Sequence, residues 1–220
     1  MSKIVHPYAH RLIILRDWKS RWFADPKKYK TFLKGDVLLR EYLEKKLRGL
    51  YVSSLEIERN QKTTRFIVKT SRPGLLIGRN GEGATKLKED ILKKMDKLGL
   101  PRPTDLKLEV VEITNPEADA SIVAYMIAEG LEKRMPYRRV MKQVLEKVMQ
   151  APGVEGARIV LGGRLGGAEI ARSEELKKGS IPLQTFRADI DFKRERATLA
   201  YGVIGIKVWI YRGKIFSKNK

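Results

Sequence analysis

Cysteine is absent from this 220-residue chain. No disulfide framework, thiolate metal site or cysteine nucleophile can be built, and the absence fits a reducing, cytoplasmic setting. Histidine is scarce, with 2 copies. His6 and His10 stand four apart, a spacing that can hold a metal on a helix. Pro7 lies between them and no further ligand is near, so no metal is expected. No Ser-His-Asp set is visible, and neither an enzymatic activity nor a cofactor is expected. Long apolar runs are missing too. The longest near the N-terminus, Leu12-Ile13-Ile14-Leu15, is too short for a signal-peptide core or a membrane span. There is no fixed-period repeat and no long low-complexity tract. Acidic residues are few beside basic ones, 26 against 46, which leaves a formal net charge of +20.

What is present bounds the answer further. Hydrophobic residues make up 42% of the chain, too many for a disordered basic tail. The length suits one large domain or two small ones. A charge of +20 destabilises a compact state by self-repulsion, and a polyanion relieves it. Nucleic acid is the first candidate partner. An anionic membrane surface is the second, disfavoured because no long basic amphipathic helix carries Trp and Phe on its apolar face.

Residues 1–35 are basic and aromatic, with Trp18, Trp22, Phe23, Tyr29 and Phe32 among many Lys and Arg. They read either as an arm that docks on something else or as a short helix packed on the domain that follows. From Asp36, a plausible N-cap, Val37, Leu38, Tyr42, Leu43 and Leu47 recur near helical spacing until Gly49. Two alternating strands follow, through Leu55 and Ile57 and through Phe66 and Val68, with a turn at Asn60 to Lys62. Pro73 opens a short apolar turn. A long helix then presents Leu87, Ile91, Met95 and Leu98, and a strand runs through Leu106, Leu108 and Val110. Thr114 and Glu117 have capping-box spacing before a helix through Ile122 to Leu131. Pro136 breaks it, and a second helix runs from about Tyr137 to Gln150. Strands are expected at Arg158–Leu161 and near 184–192, 196–203 and 204–212. Helices followed by strands argue for α+β, two helices packed on a mainly antiparallel four-stranded sheet.

Gly78-Arg79-Asn80-Gly81 separates the apolar turn from the basic helix. A loop that clamps a nucleic-acid backbone needs glycine at each end, so that the chain can turn sharply and approach phosphate and sugar. Arg79 and Asn80 project outward and can donate hydrogen bonds, and the helix behind adds free N–H groups. Glu82, just after the loop, places one negative charge near that path. With α-β-β before and α-β after, the loop fits a type II KH domain, residues 36–113, whose GxxG clamps about four nucleotides. The same fold can also serve as a docking surface. A nucleotide triphosphatase is excluded: Gly78 and Gly83 have phosphate-loop spacing, but Ala84 stands where the lysine must be.

In residues 114–220, a second basic feature lies on the helix from Tyr137. Arg138 and Lys142 share a face, Arg139 is three from Lys142, and no acid occurs between Arg134 and Lys142. Surfaces built only for solubility mix signs, so these cations are candidates for gripping a phosphate string. Gly162–Gly167 reads as a phosphate-binding stretch or as a tight loop, with Arg164 and Arg172 as candidate RNA contacts. Asp189 and Asp191 share a strand face with Arg187 and Lys193, so charge pairing across strands is the simplest account of them. Trp209 suits core or interface better than a stacking platform.

Four stretches resemble the bacterial-type small (30S) ribosomal subunit protein family S-three: Asp17–Asp25, Arg72–Gly81, Gly162–Glu174 and Tyr201–Ile210. The resemblance covers nearly the whole chain. It implies an N-terminal type II KH domain followed by a C-terminal α+β domain. It implies binding to small-subunit ribosomal RNA in the head, contacts with neighbouring head proteins, a ribosome-bound cytoplasmic location and no membrane. It also implies a place where messenger RNA enters the ribosome, with Arg138, Arg139 and Lys142 holding messenger and opening its secondary structure. Departures exist: Ala9 and Ile13 stand where the family carries glycines, and Gln143 stands where some relatives are basic. A stand-alone KH factor for RNA processing or ribosome maturation is the alternative.

Overall fold

The computed structural model describes residues 5–60 and 63–216. In chain order these form α1 (Pro7–His10), β1 (Ser20–Trp22), α2 (Pro26–Lys46), β2 (Val52–Arg59), β3 (Thr63–Thr70), α3 (Pro73–Ile77) and α4 (Glu82–Lys97). They continue with β4 (Asp105–Glu112), α5 (Ala120–Glu132), α6 (Tyr137–Gln150), β5 (Gly156–Gly163), β6 (Arg172–Gly179), β7 (Ala188–Leu199) and β8 (Gly202–Lys214). Two compact units result: residues 18–114, and the stretch up to residue 17 together with residues from 115 onward.

In the 18–114 unit the sheet order is β1-β2-β3-β4. β2 and β3 are antiparallel, while β1 and β4 run parallel to their neighbours. Leu39, Leu43 and Leu47 of α2 and its end, with Leu87, Ile91 and Met95 of α4, bury one sheet face against Ile57, Phe66 and Val68. The expected helix start at Asp36 is corrected. Pro26 begins α2, as suits a residue whose missing N–H would be unpaired in the first turn. Asp36 lies inside, buried, with Oδ1 2.5 Å from Nη2 of Arg59 and the Phe32 ring over that guanidinium. The basic aromatic segment is therefore built into the structure. Arg40 donates to the Leu55 carbonyl and the Ser20 hydroxyl, and Arg21 pairs with Glu56 and Glu58, which holds β1 on the sheet edge. Residues 61–62 of the expected turn lie outside the described residues.

The other unit lays α5 and α6 on one face of an antiparallel sheet ordered β6-β5-β8-β7. Ile122, Ile127, Met141 and Val148 are buried, as are Ile159, Leu161, Ile206 and Val208 of the strands. Three expectations change. Asp119, not Thr114, caps α5, accepting from the N–H groups of Ser121 and Ile122. β7 is one continuous strand, because the charged run Lys193–Arg196 alternates faces within it instead of ending it. β6, Arg-Ser-Glu-Glu-Leu-Lys-Lys-Gly, was not expected: it is a polar edge strand with Glu174 and Leu176 alone partly buried. Arg11 pins α1 to this unit. Its side chain is 0% exposed and donates to the carbonyls of Pro7, Leu183, Thr185 and Ala188. Burial lowers its pKa, and Asp189 partly offsets that.

Candidate nucleic-acid interface

The loop at 78–81 is shaped by backbone conformations that disfavour side chains. Gly78 and Gly81 sit at φ +72° and +79°, and Asn80, of a type tolerant of this region, at +50°. Gly83, weighed above only for its phosphate-loop spacing from Gly78, is needed as well. A Cβ there would lie 2.6 Å from the Leu76 carbonyl oxygen, so its absence lets α4 close on α3. The N-terminus of α4 has no side-chain cap, which leaves its first N–H groups available beside the loop. Arg79 and Asn80 are exposed and make no side-chain hydrogen bond or ion pair among the described residues. Leu75 and Ile77 are exposed next to them. Glu82 pairs with Lys86 one turn on, at 3.6 Å, which tempers the charge it brings.

On α6, Val140, Met141, Leu145 and Val148 are buried, which turns Arg138, Arg139 and Lys142 to solvent. Arg139 and Lys142 have no ion pair or side-chain hydrogen bond among the described residues. Arg138 does. Local sequence shows no acid near it, but β6 brings Glu174 alongside. Glu174 Oε1 lies 3.2 Å from Arg138 Nη2 and accepts from the Tyr137 hydroxyl at 2.7 Å. Arg172 Nε approaches the same oxygen at 3.9 Å. The Arg138 hydrogen bond, then that of Tyr137, holds the Glu174 carboxyl below its ordinary range and raises the Arg138 pKa in turn. Two residues assigned separately from sequence, Arg138 and Arg172, thus meet around one carboxylate. Only strand pairing could have revealed it, since 36 residues separate Arg138 from Glu174.

Arg164 is placed differently. Its Nε donates to the Ala168 carbonyl at 2.9 Å, and it lies near the Tyr201 ring, so it braces the loop between β5 and β6. Within Gly162–Gly167, Gly163, Gly166 and Gly167 have positive φ, while Gly162 does not. The histidines are engaged with rings: His6 meets Phe192 edge-on and His10 stacks on Phe186. Asp189 and Asp191 are engaged in charge pairs, as expected: Arg212 of the neighbouring β8 pairs with Asp191 across the strands, and Arg16 pairs with Asp189. Among the described residues, no cluster of three or more His, Asp or Glu could hold a metal, and no helix is long and apolar enough to cross a membrane.

Two family comparisons match this geometry. The KH domain matches residues 38–118, and Ribosomal protein S3, C-terminal domain, matches residues 127–210. Small ribosomal subunit protein uS3 of Methylococcus capsulatus is 44% identical over 216 residues, covering 98% of this chain and 93% of its own length. The chain belongs to the uS3 family. The uS3 proteins of Pseudomonas aeruginosa (43% over 215 residues, 98% of this chain and 91% of that one) and of a Synechococcus strain (40% over 215 residues, 98% and 86%) are similar to it as well. Within the uS3 frame the candidate residues divide cleanly. The loop 78–81 falls in the KH match, and Arg138, Arg139, Lys142, Arg164 and Arg172 fall in the C-terminal match.

Proposed function

We propose that this chain is a non-enzymatic structural constituent of the small ribosomal subunit head, bound to small-subunit ribosomal RNA and lining the channel through which messenger RNA enters. The KH loop, with Arg79 and Asn80 exposed above a helix N-terminus, supports backbone contact with ribosomal RNA. The observation that carries the messenger role is the seating of Arg139 and Lys142. Among the described residues they have no ion-pair or side-chain hydrogen-bond partner, and they stand on a 14-residue helix whose opposite face is locked into the core. A rigid cationic row grips phosphates at low entropic cost. As the ribosome pulls the messenger, the row holds the strand while pairing ahead of it opens, with no ATP-driven step. Arg172, joined to Arg138 through Glu174, extends the row onto β6, and Arg164 supports the adjoining loop. Tyr29, Leu33 and Val37 recur at successive turns of α2 and are exposed, which supports neighbouring head proteins as contacts. A stand-alone processing factor has less support, since the ribosomal relatives match 98% of the chain.

The test is the R138A/R139A/K142A variant, assayed for translation of structured and unstructured messengers. Greater loss on structured messengers is expected, and equal loss on both would overturn the messenger role. Co-sedimentation with small subunits after a moderate salt wash tests the structural role, and release in the wash would favour the processing factor.

A further inference from the structure

The two sheets turn very different open faces to solvent. On the 18–114 sheet, the open face mixes signs: Arg21, Arg65 and Lys69 pair with Glu56, Glu58 and Glu109. The sheet of the other unit carries α5 and α6 on one face. Its opposite face is covered at one end, where Ile181 and Leu183 pack against Ile190, Phe192, Trp209 and Tyr211. Among the described residues no element is packed over the remainder, and its charged side chains are mostly cationic. Strand register sets Arg194, Lys207, Val160 and Glu175 in one row across the sheet, and Arg196, Gly205, Gly162 and Ser173 in the next. Arg194, Arg196 and Lys207 are exposed. Glu175 is the acid of these rows and is already paired with Arg158. Arg158 and Arg194 lie over the Trp209 and Phe192 rings, which confirms that this cationic set shares one face.

Gly162 and Gly205 are directly paired within this face. Glycine weakens a strand interior and usually marks a bulge, a bend or a close approach by something else. No bulge falls on the pair itself: neither residue has a positive φ, and the β5–β8 ladder keeps its register up to this pair, which is its last. Nor do the described residues need the space. A Cβ on Gly162 would meet nothing within 4 Å, and one on Gly205 would meet only the Gly162 oxygen at an ordinary 3.7 Å. By contrast, Gly163 beside them is demanded internally, by φ +147° and by the Val203 oxygen 3.0 Å from its Cβ position.

We propose that this open face, Arg194, Arg196 and Lys207 around the bare Gly162–Gly205 pair, is a seat for a fixed stretch of small-subunit ribosomal RNA. Charge complementarity selects a polyanion, and the missing side chains let a sugar–phosphate backbone lie against the peptide plane. The messenger is not the occupant, because Arg139 and Lys142 stand on α6, which covers the opposite face of the same sheet. The inference rests on the proposed ribosomal role and adds a surface to it.

The test compares the full-length wild type with G162T/G205T, and with R194E/K207E in case the first folds poorly. Each is measured for thermal unfolding and for affinity to small-subunit ribosomal RNA. The expected result is a melting temperature unchanged or raised for G162T/G205T, with RNA affinity at least tenfold weaker for both variants. Unchanged affinity in both, with wild type still binding, overturns this inference alone. Failure of the wild type to bind ribosomal RNA overturns the proposed function. In a parallel measurement, Lys207 of the unmodified chain is acylated free and within small subunits. Protection within subunits, independent of added messenger and lost on ribonuclease digestion, is expected. Full reactivity in the subunit, or protection that survives digestion and so belongs to a protein neighbour, overturns the inference.

Discussion

Glu174 holds Arg138 from the neighbouring edge strand, with Oε1 3.2 Å from Nη2 and the Tyr137 hydroxyl donating to the same oxygen. The carboxylate therefore orients the first cation of the α6 row and neutralises part of it. Glu174→Gln keeps the shape and an acceptor for Tyr137 while removing the charge. RNA affinity at low salt is expected to rise, with the slope of log affinity against log salt steeper by about 0.7, one more single-strand phosphate contact. Anisotropy titrations across a salt series measure this, and an unchanged slope would remove Arg138 from the contact.

The buried Asp36–Arg59 pair is incompletely satisfied, since Asp36 Oδ2 and Arg59 Nε have no hydrogen-bond partner among the described residues. Truncating one member strands the other charge. Asp36→Ala or Arg59→Ala is expected to cost about 3–5 kcal/mol. The double replacement D36L/R59M, apolar at both positions, is expected to cost far less. Urea denaturation of the three variants separates these outcomes.

Ile13 has a φ of +73°. A β-branched residue is strained there, and its side chain is 76% exposed, so it gains little burial in return. Ile13→Gly is expected to stabilise the protein by about 1 kcal/mol. Thermal unfolding checks it, and a lower melting temperature would show that the side chain matters more than the backbone.

Three carboxyls are held below their ordinary range, each mainly by a hydrogen bond from a cation: Glu174 by Arg138, Asp90 by Lys46 and Asp96 by Arg102. A depressed folded-state pKa gives stability that is complete above the unfolded value and is lost as pH falls through the folded one. The melting temperature is thus expected to be insensitive to these groups from pH 8 to about 5, and to decline below roughly pH 4, where carboxyls titrate. The variant D90N/D96N/E174Q is expected to decline less steeply, as followed by calorimetry across that range.

Features whose causes are local were legible in the sequence. The Gly78–Gly81 loop rests on neighbouring backbone conformations, and the α6 boundaries rest on Pro136 and on an apolar period of 3.6. Features whose causes lie across the fold were not. Asp36 looks like an N-cap because its partner Arg59 is 23 residues away. β6 carries almost no apolar signal because an edge strand needs only one neighbour. Lys193–Arg196 reads as an interruption of β7 because charges on alternate faces look, along the chain, like a solvated run. Glu174 was visible as a residue, but its role depends on pairing between β5 and β6. Gly83 was legible in principle, since a glycine two positions after Gly81 extends the loop signal into the helix.

Arg11 finds its acceptors 172 to 177 residues further along, at Leu183, Thr185 and Ala188. During synthesis the first turn of the chain is therefore an orphan for most of the time the ribosome spends on it. Residues 18–114 hold every partner their own sheet requires and can condense as soon as they emerge. The segment that precedes residue 18 must wait for the hairpin-rich half, so a nascent chain stalled before residue 182 is expected to carry one finished unit and a protease-sensitive N-terminal segment.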